Sequence, residues 1–252
     1  MPRYDFQSPR LYVDAPLAEG ARLSLDQDQA NYLRNVLRLE AGAAVLVFNG
    51  REGEWRAELA PVSRKALTLT VAEQTRPQTE PSDLHYLFAP LKHARLDYMV
   101  QKAVEMGATR LVPVLTRHTQ VERVNLGRMR ANAIEAAEQC GVLSIPEINE
   151  PLRLTRLIET WRPERMLVFC DEDAEVKDPI AALGATRTDA WVGPMPVSVL
   201  VGPEGGFTAE ERAALCELPN AVRLALGPRI LRADTAAVAA LALVQAVLGD
   251  WH

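Results

Sequence analysis

Two segments of the chain gather residue types that can hold a ligand and act on it. The first, Val201-Gly202-Pro203-Glu204-Gly205-Gly206-Phe207, follows an apolar run and precedes a helix start. That puts flexible backbone and a carboxylate at a strand's carboxyl end, where open α/β sheets bind ligands. Glycine lacks a Cβ, so backbone at Gly202, Gly205 and Gly206 can approach a ligand closely. The second, Leu226-Gly227-Pro228-Arg229-Ile230-Leu231-Arg232-Ala233-Asp234-Thr235, repeats the arrangement and adds two cations and a second carboxylate. Either alone also fits an ordinary strand-to-helix turn. Neither contains Gly-Lys-Ser/Thr, no Gly-x-Gly-x-x-Gly is present, and no Gly-x-Ser-x-Gly elbow occurs, which argues against a P-loop, a dinucleotide fingerprint and an α/β-hydrolase.

The rest of the composition sets bounds. The 252 residues carry a net charge of −5, too acidic for a protein that holds nucleic acid by bulk charge alone. The segment from Lys92 to Arg130 nevertheless has eight Lys/Arg against three acids, which is either a solvated helix face or a local anion-binding surface. Cys140, Cys170 and Cys216 are odd in number and far apart, so neither a disulfide framework nor a zinc site is expected, and they read as buried small residues. No apolar run approaches bilayer length and Met1-Pro2-Arg3-Tyr4-Asp5 lacks a signal region, so the chain is expected to be soluble and cytosolic.

Two patterns position these residues. Residues 11–13, 44–48, 54–60 and 66–72 read as short strands with turns such as Asn49-Gly50 between them, interrupted by a helix capped by Asp26 with Leu33, Val36 and Leu37 as its apolar stripe. They form a β-barrel-like domain over residues 1–72. Residues 73–82, polar and twice broken by proline, read as a linker. From 83 to 252 apolar strands (84–88, 111–115, 166–170, 197–201, 222–226) alternate with helices, the pattern of a mostly parallel sheet covered on both faces. Thr208 and Glu211 make a capping box, and the last helix, 231–248, is apolar nearly all round, so most of its faces must be buried in the core or against a second subunit.

Met1-Pro2-Arg3, Tyr32-Leu33-Arg34-Asn35-Val36-Leu37-Arg38, Gln101-Lys102-Ala103-Val104-Glu105-Met106-Gly107, Glu135-Ala136-Ala137-Glu138-Gln139-Cys140-Gly141 and the two loops follow one another in an order that resembles the bacterial 16S rRNA (uracil-N3)-methyltransferases of the SPOUT superfamily. The resemblance implies an α/β protein with an N-terminal PUA-like β-barrel, a C-terminal SPOUT methyltransferase domain with a trefoil knot, and a homodimer. It implies S-adenosylmethionine held by Leu200, Val201, Gly202, Pro203, Glu204, Gly205, Gly206, Leu226, Gly227, Ile230 and Leu231, with no metal and no membrane. The substrate implied is N3 of a uridine in 16S rRNA, uridine 1498 of the decoding region, on the assembled 30S subunit. The chain departs from the family at Val142, where members often carry Arg, and at Asp234, where they carry Glu.

Uridine N3 is strongly nucleophilic only after losing its proton. Arg232 or Arg229 is the candidate for stabilising charge on the uracil oxygens, and Glu204 or Asp234 for accepting the proton. His93 and His118 read as structural or RNA-facing, because nothing in the sequence orients them. Arg3, Arg34, Arg38, Lys92, Arg95, Arg117 and Arg123 are the candidates for RNA phosphates. The competing readings are a SPOUT enzyme acting on another rRNA or tRNA base, and a catalytically silent RNA-binding protein.

Overall fold

The computed structural model describes Asp5 and residues 7–60, 67–121, 123–175, 178–187 and 195–251. The chain divides into two compact units, Met1–Glu80 with Ala137–Ile145, and Pro81–Ala136 with Pro146–His252.

The first unit contains β1 (Arg10–Tyr12), β2 (Arg22–Ser24), α1 (Gln27–Asn31), β3 (Ala44–Phe48), β4 (Glu54–Leu59) and β5 (Thr68–Arg76). Its strands lie in the order β1-β3-β4-β5-β2, with β1 parallel to β3 and the other pairs antiparallel. Two register shifts of β4 against β5, at Glu54/Trp55 and Arg56/Ala57, add the local bend that curls such a sheet. Its core gathers Leu33, Val45, Val47, Leu69 and Val71.

Asp26 caps α1 as expected, accepting from the Gln29 amide at 2.8 Å while the Gln29 side chain accepts from the Asp26 amide at 3.1 Å. The stripe beyond it is corrected. Residues Tyr32–Val36 form a π-helical turn, closed by Leu37 N–H on the Tyr32 carbonyl at 2.9 Å. The widened turn breaks the 3.6-residue period, so Leu33 is fully buried but Val36 is 61 % exposed.

Strand β5 runs four residues into the segment expected as a linker. The cause is Glu54, a buried carboxylate that accepts from Arg10 Nε at 2.9 Å, Arg76 Nη2 at 2.7 Å and Thr75 Oγ1 at 2.9 Å. Burial alone would raise its pKa; the hydrogen bonds from Arg76, Arg10 and Thr75 outweigh that and hold it below the usual value. Arg76 also donates to the Gly141 carbonyl at 3.0 Å, and Tyr12 N–H donates to Glu138 Oε1 at 2.8 Å. These bonds draw Ala137–Ile145 into the first unit, although its place in the sequence suggested the second.

The second unit comprises β6 (Leu84–Phe88), α2 (His93–Glu105), β7 (Arg110–Leu115), α3 (Leu126–Cys140), β8 (Glu147–Ile148), β9 (Leu152–Arg153), α4 (Leu154–Glu159), β10 (Met166–Cys170), α5 (Pro179–Gly184), β11 (Val197–Val201), α6 (Ala209–Cys216), β12 (Ala221–Leu224) and α7 (Ala233–Val247), the end of α3 belonging to the first unit. The sheet order is β12-β10-β11-β6-β7-β8, every neighbouring pair parallel. The apolar runs at 84–88, 166–170 and 197–201 coincide with strands, as buried parallel strands should. Elements β8, β9, α4 and α5 are too short to show a period and escape sequence reading.

Helix α7 buries Ala236, Ala237, Ala240, Leu241 and Val244, packing on α2 and β11. Cys140 and Cys216 are exposed, contrary to the expectation of burial. Among the described residues no helix is long and apolar enough to cross a membrane.

Candidate active site

The carboxyl ends of β10, β11 and β12, adjacent in the sheet, open into one cleft of about 230 Å³. Val201, Gly202, Pro203, Glu204, Gly206 and Phe207 form one side, and Leu226, Gly227, Pro228, Arg229, Ile230 and Leu231 the other. Cys170, Asp171 and Glu172 close the β10 edge, and Ala233 and Ala236 of α7 complete the lining. Both loops singled out in the sequence therefore meet at one site. Leu200 does not: its side chain is fully buried in the core with Leu87, Phe169 and Phe207, because alternate residues of a strand face opposite ways. Sequence reading also missed the β10 edge, which the rule about strand ends would have flagged once β10 was placed beside β11.

The glycines divide by what surrounds them. At Gly227, φ is +99° and a Cβ would meet nothing within 4 Å, so the position is open towards a ligand. At Gly202 a Cβ would stand 3.0 Å from the Phe207 ring, and at Gly205 it would stand 3.1 Å from the His118 Cβ. Those two are small because the loop packs on itself and on its neighbour, and Gly205 does not line the cleft. Gly206, with φ +65°, turns the chain beside Glu172.

His118 has the orienting partners that the sequence could not show. Its Nδ1 lies 2.9 Å from the Gly205 carbonyl and 3.2 Å from that of Gly206. A carbonyl only accepts, so Nδ1 must carry the proton. The adjacent Arg117 amide donates to Glu211 Oε1 at 2.7 Å, while Glu211 Oε2 and Thr208 complete the predicted capping box of α6. The chain after β7 is thereby fastened to the 202–207 loop.

Beside the cleft, Asp171 is buried and accepts from Arg212 Nε at 2.5 Å, Arg212 Nη2 at 3.1 Å and Arg223 Nε at 2.7 Å. Burial pushes its pKa up, but these bonds prevail and hold the carboxyl below its ordinary range. Burial, with Asp171 adding to it, pushes the Cys170 thiol up to about 12. The Tyr86 phenol is wholly buried; burial first, then the nearby Cys170 and Asp234, hold its proton on. Its hydroxyl has no hydrogen-bond partner among the described residues.

Of the four catalytic candidates, Glu204 and Arg229 line the cleft. Arg232 is exposed as the N-cap of α7, and Asp234 sits half-buried in its first turn; neither is part of the lining. Among the RNA candidates, Arg34 and Arg38 are exposed on the first unit. Lys92, Arg117 and Arg123 are exposed and Arg95 half-buried on the second. Arg3 and the His93 side chain lie outside the described residues.

Residues 78–245 match the family described as RNA methyltransferase domain, and residues 25–72 match RNA methyltransferase PUA domain. The ribosomal RNA small subunit methyltransferase E of a Synechocystis strain is 32 % identical over 95 % of this chain and 78 % of its own. The chain belongs to the ribosomal RNA small subunit methyltransferase E family. A solved structure of the family's Neisseria gonorrhoeae member, bound to S-adenosyl methionine, superposes with a TM-score of 0.86 at 25 % identity, covering 98 % of this chain and all of that one. A Legionella pneumophila methyltransferase solved with bound cofactor SAM superposes at 0.80 with 28 % identity, covering 95 % and 98 %. The PUA-like first unit and the SPOUT-type second unit are thus the architecture of methyltransferase E proteins.

Proposed function

We propose that this chain is an S-adenosylmethionine-dependent methyltransferase acting on N3 of a uridine in 16S rRNA, uridine 1498 on the assembled 30S subunit. The observation that carries the reading is the cleft at three adjacent strand ends, closed by two loops, with Gly227 leaving open the space a Cβ would fill. The lining suits the cofactor: loop backbone around Gly202 and Gly227 for an adenine, apolar Leu226, Ile230 and Leu231 as walls, and exposed Glu172 on the edge that a cation would face. Ile230, 90 % exposed, is a large apolar side chain that a ligand would cover. When bound, the cofactor supplies a methyl group on a sulfonium, whose transfer leaves a neutral thioether.

The chain's own task is to present an N3 without its proton. Arg229, in the lining, takes the role of stabilising charge on the uracil oxygens, with Arg232 just beyond it. Of the two carboxylate candidates, Glu204 lines the cleft and takes the proton; Asp234, whose charge acts on the Tyr86 phenol, has a supporting role. His118 fixes the Gly205 and Gly206 carbonyls, and with them the loop that carries Glu204. Arg34, Arg38, Lys92, Arg95, Arg117 and Arg123 meet phosphates.

The working unit is a cytoplasmic homodimer. The outward face of α7, with Val238, Ala239, Ala242 and Leu243 half-exposed, is apolar enough to be covered by a second copy. Leu241 and Val244, by contrast, are inside the chain's own core, so charges there would test folding and not association.

Mass spectrometry of 16S rRNA from a deletion strain tests the function: one 3-methyluridine should disappear and return on complementation. An unchanged methylation map would refute it. Titration of the purified protein with S-adenosylmethionine tests the cofactor separately.

A further inference from the structure

The loop carrying Glu204 has a second side. Pro203 and Glu204 also border a separate cleft of about 500 Å³, roughly twice the volume of the first. We propose that this second cleft seats the target nucleotide, and that the Arg95–Glu204 ion pair across its mouth is a latch that a substrate phosphate opens. The inference rests on the functional reading above, and names where its substrate sits.

The lining has the chemistry of a nucleotide site. Lys92 and Arg95 supply two cations, and Lys92 is the N-cap of α2 and makes no side-chain cap bond, so the orphan amides of its first turn add to the same positive field. Lys92 has no carboxylate partner among the described residues. In the same lining, Gln120 offers an amide that donates and accepts at once, the complement of a uracil edge with its N–H beside a carbonyl. Leu91, Pro90 and Val121 give the flat apolar contact that a base needs. The first cleft has exposed Glu172 on its edge and contributes Arg229 to the uracil oxygens where the two clefts share Glu204.

The latch is Arg95 Nη1 to Glu204 Oε1 at 3.3 Å, with both side chains about half exposed. An exposed pair of that length adds little stability, whereas a guanidinium binds a phosphate through two parallel charge-assisted hydrogen bonds. A phosphodiester arriving beside Lys92 therefore takes Arg95 from Glu204. Glu204 borders both clefts, so its release falls where the cofactor and the base would meet. Arrival of the RNA would thus free the carboxylate assigned to the N3 proton.

The test uses the full chain with 30S subunits isolated from a deletion strain. S-adenosylmethionine affinity is measured by equilibrium dialysis without RNA, and methylation is followed as a function of subunit concentration and salt. Arg95→Ala and Lys92→Ala should leave cofactor affinity within about two-fold and raise the half-saturating subunit concentration about ten-fold or more. Each should also lower the slope of log affinity against log salt by about one. Arg95→Lys should recover part of the loss, and Gln120→Ala should lower kcat with half-saturation nearly unchanged. Acetylation of Lys92, read by mass spectrometry, should be blocked by the subunits. Variants that lose cofactor affinity while subunit binding stays normal would overturn the assignment, as would Lys92 acetylating equally with and without subunits. If wild-type protein fails to bind the cofactor, the functional reading fails, while protection of Lys92 still decides the cleft.

Discussion

Asp171→Asn removes one charge from the best-organised polar cluster of the second unit without changing its shape. In the folded chain that carboxylate is buried and takes three hydrogen bonds from Arg212 and Arg223. The asparagine would keep one acceptor and turn an N–H towards a guanidinium. Breaking a buried charge pair costs about 3–5 kcal/mol. The arginine side chains are 21 % and 29 % exposed, so water recovers part of that, leaving about 3 kcal/mol. For a domain of this size about 3 kcal/mol lowers Tm by about 6–12 °C. Differential scanning calorimetry of the two proteins at neutral pH reads the difference. S-adenosylmethionine should also bind more weakly to the variant, since Asp171 lines the cleft. A Tm within about 2 °C of the parent would show that the two arginines are satisfied without the charge, and the reasoning would fail.

Gly227→Val should abolish S-adenosylmethionine binding, because φ of +99° costs a β-branched residue about 1–3 kcal/mol and the side chain enters the open space, while Gly205→Ala, which meets His118, should weaken it far less in the same calorimetric titration. Iodoacetamide at pH 7.5 followed by peptide mass spectrometry should label exposed Cys216 and spare Cys170, whose thiol is pushed up to about 12 although it lines the cleft; rapid labelling of Cys170 would contradict that. Glu54 has a depressed pKa in the folded state, so its contribution is complete above its ordinary value of 4.5 and is lost as pH falls through the lower folded value. Urea unfolding from pH 6 to pH 3 should show that loss, and Glu54→Gln should be less stable at pH 6 with a flatter acid slope.

The sequence by itself determined the longer elements and their caps. Mostly apolar runs at 84–88, 166–170 and 197–201, alternating with helical patterns, marked candidate strands covered on both faces, and Asp26 and Thr208 declared the helix starts they cap. The two loops were legible for the same reason, since glycine and proline between a strand and a capped helix constrain backbone within a few residues. Period-based reading failed at Val36, where a π-helical turn shifted the phase, and at residues 73–76, where a side chain from another strand extended β5. Only the tertiary structure decided which residues share the site. Asp171 meets Arg212 and Arg223 across 41 and 52 positions, and His118 meets Gly205 across 87, distances closed by strand order and by no local preference. It also decided what each glycine is for. Gly202 and Gly205 yield to protein neighbours and Gly227 to open space, a distinction that depends on the atoms opposite each Cα, which one chain segment does not specify.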